Sequence, residues 1–295
     1  MTSLPDHLGR YRLSRFIRAG NSSQLWEAAR ADGSGRCVLK ILRRDHWGDR
    51  EQTDYLKHEY EVAHTLEHPN VLRVYEFGSE GKIAFLVLEV FSPTNLKQVL
   101  REDPARILRD FQKIAVQAAS GLEHLHQKRW VHRDVKPDNF LMNDEGSVKL
   151  IDFSIAQRAA GGFLSRLFTR RVKPQGTRSY MSPEQIRGQP VDARSDIYSF
   201  GCTLYELLTN RVPFTGVNPD DLLNKHLRGA IPNVLVHNNL VTADLAELVR
   251  RMMAKAPEQR PESMGAVLKE LRTMRLFKPG TTFTAGTAEE AQPKT

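Results

Sequence analysis

Cysteine is nearly missing from this chain: in 295 residues there are two, Cys37 and Cys202. Both lie inside apolar segments, so they read as small buried hydrophobes, and a disulfide or a redox site is disfavoured. No apolar run approaches the ~20 residues that a membrane helix needs, so no membrane insertion is expected. No basic-then-apolar leader follows Met1, which gives no reason to expect secretion. A reducing cytoplasm is the expected location. The formal net charge is +8, yet no helix-turn-helix, zinc or aromatic-basic pattern accompanies it, and specific nucleic-acid binding is not expected. No internal repeat is visible. With 40% hydrophobic and 26% charged residues, the composition is that of an ordinary soluble protein. The length suits two lobes, each with its own core.

One stretch lacks acidic residues. From Arg158 to Arg178 the charged residues are Arg158, Arg166, Arg170, Arg171, Lys173 and Arg178. Such a run is either a solvated face or a basic loop that attracts an acidic partner or awaits a phosphate.

The segment from Tyr11 to about Leu88 alternates apolar and polar residues in short runs, as in Arg12–Ile17 and Cys37–Leu42, and predicts half-buried antiparallel strands. One helix interrupts it, over Glu51–Leu66, with Tyr55, Glu59, Val62, Ala63 and Leu66 on one face. Glu59 therefore lies on the inward stripe, where a carboxylate needs a cation. His68-Pro69-Asn70 ends that helix. Two further strands are expected at Val71–Tyr75 and Ile83–Leu88, joined through Gly78-Ser79-Glu80-Gly81. Beyond Ser92-Pro93 the pattern becomes helical, over Ile107–Gln127, Ser195–Thr209, Asp220–Arg228, Ala243–Ala254 and Met264–Leu276. A single hairpin, Phe140–Met142 with Val148–Ile151, interrupts these helices.

The densest signal is His132-Arg133-Asp134-Val135-Lys136-Pro137-Asp138-Asn139, followed by Asp152-Phe153. Moving a phosphoryl group from a nucleotide to a hydroxyl needs a carboxylate to accept the proton and oxygen ligands for a divalent ion. Asp134 suits the first task, and Asn139 and Asp152 suit the second. On these residues the chain resembles the protein kinases, and most closely the eukaryotic-like serine/threonine kinases of bacteria, over about Tyr11 to Phe277.

The resemblance implies an α+β, two-lobed kinase fold, with a small β lobe over residues 1–89 and a mainly helical lobe over residues 90–278. Together these form one domain of about 11–277, with a disordered tail over 279–295. It also implies ATP with Mg2+ (or Mn2+) as cofactors, and protein serine or threonine hydroxyls as acceptors, the chain's own included. It pairs Lys40 with Glu59, so that a carboxylate on a movable helix aims the lysine at phosphate oxygens. Lys136 would steady the transferred group. The adenine slot would be made by Leu25, Val38 and Leu141, with Leu88 behind and the backbone of Glu89 and Phe91 at its edge. Gly176–Glu184 resembles a segment that receives a peptide, with Thr177 near Asp134 and Lys136. Glu184 would pair with Arg260, and Asp196–Gly201 belongs to the following helix. Arg133 would receive a phosphate on Thr169, or failing that Ser165.

The chain also departs from the family. The phosphate-covering loop keeps only Gly20, with Arg18 and Ser23 at the other two glycine positions. Val38 replaces an expected alanine and Ser154 an expected glycine. These departures favour an alternative, a pseudokinase or nucleotide-sensing scaffold. A small-molecule phosphotransferase is a third reading, set against by the peptide-docking segment.

Overall fold

The computed structural model describes residues 4–33, 35–159 and 176–283. The expected sheet is present, with strands β1 (His7–Leu8), β2 (Tyr11–Ala19), β3 (Ser23–Arg30), β4 (Arg36–Leu42), β5 (Val74–Glu80) and β6 (Ile83–Leu88). They are antiparallel, in the order β1-β2-β3-β4-β6-β5. Strand periodicity of two sorts β4 onto two faces. Cys37, Leu39 and Ile41 enter a cluster on one side with Ile83, Phe85 and Val87 of β6. Val38 and Leu42 enter the main core on the other. Lys40 shares the parity of Val38 and Leu42, so it is carried on the face turned toward the rest of the molecule.

Helix α1 (Arg50–Ala63) begins at Asp49, whose side chain caps the Gln52 amide, and it buries Leu56, Glu59, Val62 and Ala63. It stops three residues short of the expected end. The His64 amide and ring both bond to the Tyr60 carbonyl, and Thr65 Oγ1 bonds to that of Val62, closing the last turn. Tyr55, expected on the inward stripe, is half-buried, and Leu56 lies inside instead. The turn between β5 and β6 is at Gly81, which has φ +57°. Gly78 and Ser79 lie within β5, paired with Phe85 and Ala84.

The larger lobe is mainly helical, with α2 (Leu96–Glu102), α3 (Pro104–Arg109), α4 (Phe111–Gln127), α5 (Pro183–Ile186), α6 (Ala193–Thr209), α7 (Pro219–Arg228), α8 (Ala243–Met252) and α9 (Met264–Thr273). The single helix expected over Ile107–Gln127 is two. Asp103 caps α3 with Pro104 in its first turn, and the break falls at Asp110. Strands β7 (Trp130–Val131) and β10 (Gln157–Arg158) pair with each other, as do β8 (Phe140–Met142) and β9 (Val148–Leu150).

Loop 67–72 of the small lobe packs against the helical lobe. The Leu150 amide donates to Asn70 O at 2.9 Å, and the Leu72 amide donates to Leu150 O at 3.0 Å. This approach requires Gly121 on α4, because a Cβ there would lie 2.5 Å from the Asn70 carbonyl oxygen.

Arg260 and Glu184 form the expected clamp, at 2.7 and 2.9 Å. The Arg260 side chain has no exposed surface, and its other donors reach the carbonyls of Ala254, Arg194 and Lys255. Removing one partner of such a pair leaves a buried charge uncompensated, so Arg260→Met is expected to lower stability by about 3–5 kcal/mol in urea titration. A change below ~1 kcal/mol would contradict a structural role.

Nearby, His226 bonds to the Tyr198 hydroxyl at 2.9 Å, and its Nε2 has no partner. Burial, then the charge of Lys255, pushes its pKa down to about 4, against a favourable Ser179 backbone contact. The unfolded chain therefore takes up this proton first. The contribution is complete above pH ~6.5 and is lost as pH falls toward ~4, amounting to roughly 3 kcal/mol. His226→Gln is expected to flatten the acid limb of a stability–pH curve, and an unaltered limb would show that this group does not set it.

Candidate active site

A cavity of about 660 Å³ lies between the lobes, lined from the sheet side by Gly20, Leu25, Lys40 and Leu88, and from the helical side by Lys136, Asn139, Leu141, Asp152 and Thr177. Asn95 and Asp138, for which the sequence suggested no role, also line it. Val38 does not. It is 7% exposed and packs in the core, with Leu88 as its cross-strand neighbour. Glu89 and Phe91 are also outside the lining. Lys149 binds the Glu89 carboxylate at 2.8 and 3.0 Å and lies 5.4 Å from the Phe91 ring centre.

Lys40 Nζ donates to Glu59 Oε2 at 2.6 Å and is 3.9 Å from Asp152 Oδ1. Burial opposes its charge, but the carboxylates of Glu59 and Asp152 outweigh that and raise its pKa. Asp152 is held below the ordinary carboxylate range. Burial alone would raise it, and Lys40, the Ser154 hydroxyl, His132 and Lys136 together reverse that. Ser154 Oγ donates to Asp152 Oδ1 at 2.8 Å. The positive φ of this segment, +66°, falls on Asp152 and not on Ser154, so this conformation does not need a glycine at 154.

Asp134 is held by three residues of the cavity wall. Lys136 Nζ donates to its Oδ2 at 2.6 Å, the Thr177 amide to its Oδ1 at 2.8 Å, and Asn139 Nδ2 to its carbonyl at 2.7 Å and Oδ2 at 3.2 Å. Lys136 Nζ also donates to Thr177 Oγ1 at 2.6 Å. Gly176 makes this closeness feasible: it has φ +118°, and a Cβ there would meet the Arg133 carbonyl at 2.8 Å.

Asp196 on α6 anchors the loop from below. It is fully buried and accepts from the amides of His132 at 2.7 Å and Arg133 at 2.8 Å, and from His126 Nε2 at 2.8 Å. The sequence pattern places Asp196 on the helix but does not imply this role. Its partners lie 63 to 70 positions away, so no local spacing reveals them. Asn95 did carry a local signal, Asn95-Leu96-Lys97-Gln98, a capping box that opens α2.

Among the described residues no three His, Cys, Asp or Glu side chains converge as a metal site. Two oxygen donors, Asn139 and Asp152, suit a hard divalent ion that keeps waters and takes further ligands from phosphate. Arg133 is 7% exposed, donates to the Ile155 carbonyl at 3.2 Å, and has a buried Nε without a partner. Thr169 and Ser165 lie outside the described residues.

The protein kinase domain family matches residues 11–271. The chain is 32% identical to the serine/threonine-protein kinase PrkC of Bacillus subtilis over 265 residues, which are 90% of this chain and 40% of that protein. It is 35% identical to the serine/threonine-protein kinase PknB of Mycobacterium tuberculosis over 90% of this chain and 43% of that one. With PknB of Mycobacterium leprae the identity is 33%, over 95% and 45%. The chain thus spans less than half the length of these curated relatives.

In Asp196→Asn the amide nitrogen faces donors, leaving buried N–H groups unsatisfied at about 1–3 kcal/mol each. The expected result is a urea midpoint lowered to match the loss of about one to two such bonds. An unchanged midpoint would show that the loop holds its geometry without this anchor.

Proposed function

The chain belongs to the protein kinase domain family, and on that premise we propose that it transfers the γ-phosphoryl group of ATP to serine and threonine hydroxyls of proteins, its own included. One observation carries the reading: Lys136 Nζ bridges Asp134 Oδ2 and Thr177 Oγ1, both at 2.6 Å. A carboxylate oxygen and the Thr177 hydroxyl thereby share one ammonium, beside a cavity with a nucleotide-sized volume.

In this mechanism Asp134 accepts the proton of the attacking hydroxyl, and Thr177 and Lys136 fix where that hydroxyl sits. Lys136 places its charge near the oxygen that gains electron density. Lys40, aimed by Glu59, holds phosphate oxygens, and Leu25, Leu88 and Leu141 exclude water around the base. Asn139 and Asp152 would hold Mg2+, or Mn2+ in its place. Such an ion supplies positive charge against the phosphate oxygens.

The cytoplasm, where ATP is available, is the proposed location, and the buried free thiols of Cys37 and Cys202 are compatible with it. No helix among the described residues is long and apolar enough to cross a membrane. An under-bonded Arg133 supports the proposal that a phosphate on Thr169, or on Ser165, docks there. An acidic partner of the basic segment around 158–178 also belongs to the proposal.

Supplied with γ-labelled ATP and Mg2+, the chain is expected to label protein serine and threonine. Asp134→Asn should lower turnover by about 10²–10⁴-fold while nucleotide affinity is retained. Nucleotide binding without transfer by the unmodified chain would return the scaffold reading, and label appearing only on an added metabolite would favour the small-molecule reading.

A further inference from the structure

Among the described residues three cations line the cavity: Arg18, Lys40 and Lys136. Two are held by carboxylates at 2.6 Å, Lys40 by Glu59 and Lys136 by Asp134. Arg18 has no such partner among the described residues. Among the described residues its side chain makes one hydrogen bond, from Nη1 to the Pro93 carbonyl at 3.2 Å, from the sheet to the connector. A guanidinium carries five N–H donors in a rigid fork, so most of its hydrogen-bonding capacity is unspent. Asp138, also in the lining, is the charge that favours its ionised form against burial.

Backbone geometry explains how the side chain reaches the cavity. Strand β2 pairs with β3 through Arg18 opposite Leu25, with a register shift between Phe16 and Arg18. Such bulges re-aim side chains. In the turn that follows, the Gly20 amide is already used, donating to Ser23 O at 2.7 Å. At least this backbone donor of the lid is spent internally, whereas the Arg18 side chain has free donors within the cavity wall.

We infer that Arg18 is a nucleotide-binding residue that grips the phosphate end of a bound nucleoside di- or triphosphate from the lid, in place of backbone amides. This rests on the nucleotide-binding reading given above and deepens it. A departure from the glycine pattern then tightens nucleotide binding. The side chain exchanges one neutral carbonyl for anionic oxygens, to which its planar fork is matched. The reacting groups around Asp134 are untouched, so the effect belongs to affinity and not to the chemical step.

The test is calorimetric titration of the whole chain with ADP and, separately, with adenosine, for wild type, Arg18→Met and Arg18→Lys. Thermal unfolding checks that each variant is folded. Arg18→Met is expected to weaken ADP by about ten-fold, the scale of one charge-assisted hydrogen bond, and adenosine hardly at all. Arg18→Lys, which keeps the charge without the fork, should fall between. The inference is overturned if Arg18→Met binds ADP as wild type does, or if ADP and adenosine weaken equally, which would make Arg18 a shaping residue. Wild type failing to bind ADP would overturn the nucleotide reading together with it.

Discussion

A carboxylate with no exposed surface is the constraint on which the site depends. Burying the charge of Asp196 is costly unless its oxygens are fully bonded, and the donors that satisfy it are two backbone amides of the catalytic loop and one histidine. The requirement works in both directions. Asp196 needs those amides, and the loop needs Asp196, because Arg133 sits at φ +71°, a conformation that non-glycine residues adopt at a cost. The α6 scaffold thus fixes the loop, and the loop then presents Asp134, Lys136 and Asn139. The Gln185 side chain holds the Arg133 carbonyl from α5 at 2.8 Å, so the strained residue is tied from both sides.

Across the cleft, position is maintained differently. Lys40 lies between Glu59 of α1 and Asp152 of the helical lobe, one ammonium shared by two carboxylates. Such a buried arrangement contributes little net stability once desolvation is counted, so its value is directional: it aims a cation and couples the attitude of α1 to that of Asp152. Where the lobes meet at Asn70, Gly121 and Leu150, the contact is made by backbone hydrogen bonds and a close helix approach. The junction is thus held by backbone geometry, and the site across the cleft by ion pairs and side chains.

The physics of legibility follows from range. Helical spacing places Glu59 on the buried stripe, because that is a local periodicity; Lys40 is joined to it through the family resemblance, and the parity of β4 in the structure accounts for its inward face. Local geometry that depends on one residue was harder. Asp110 breaks a helix whose apolar stripe runs on through the break, and Gly81 turns the β5–β6 hairpin although Gly78 offered the same residue type. Val38 belongs to the correct strand face, yet it packs into the core and not against the cavity. Longer-range facts were out of reach. Nothing near Asp196 in the chain identifies His126, His132 and Arg133 as its partners, and nothing beside Arg18 announces Pro93.

The three departures from the family pattern leave the hydrogen bonds of Lys40, Asp134 and Asp152 in place. Val38 packs in the core against Leu88, which lines the cavity. Ser154 stands where a glycine's freedom is unused in this conformation, and its hydroxyl donates to Asp152, which favours the ionised carboxylate a metal ion requires. Arg18 places in the cavity wall a cation with no carboxylate bonded to it among the described residues. The proposed phosphotransfer calls for an aimed lysine, an anionic Asp152 and a carboxylate at 134 bonded on both oxygens. These groups oppose one another electrostatically unless each is partnered, and here each of them is.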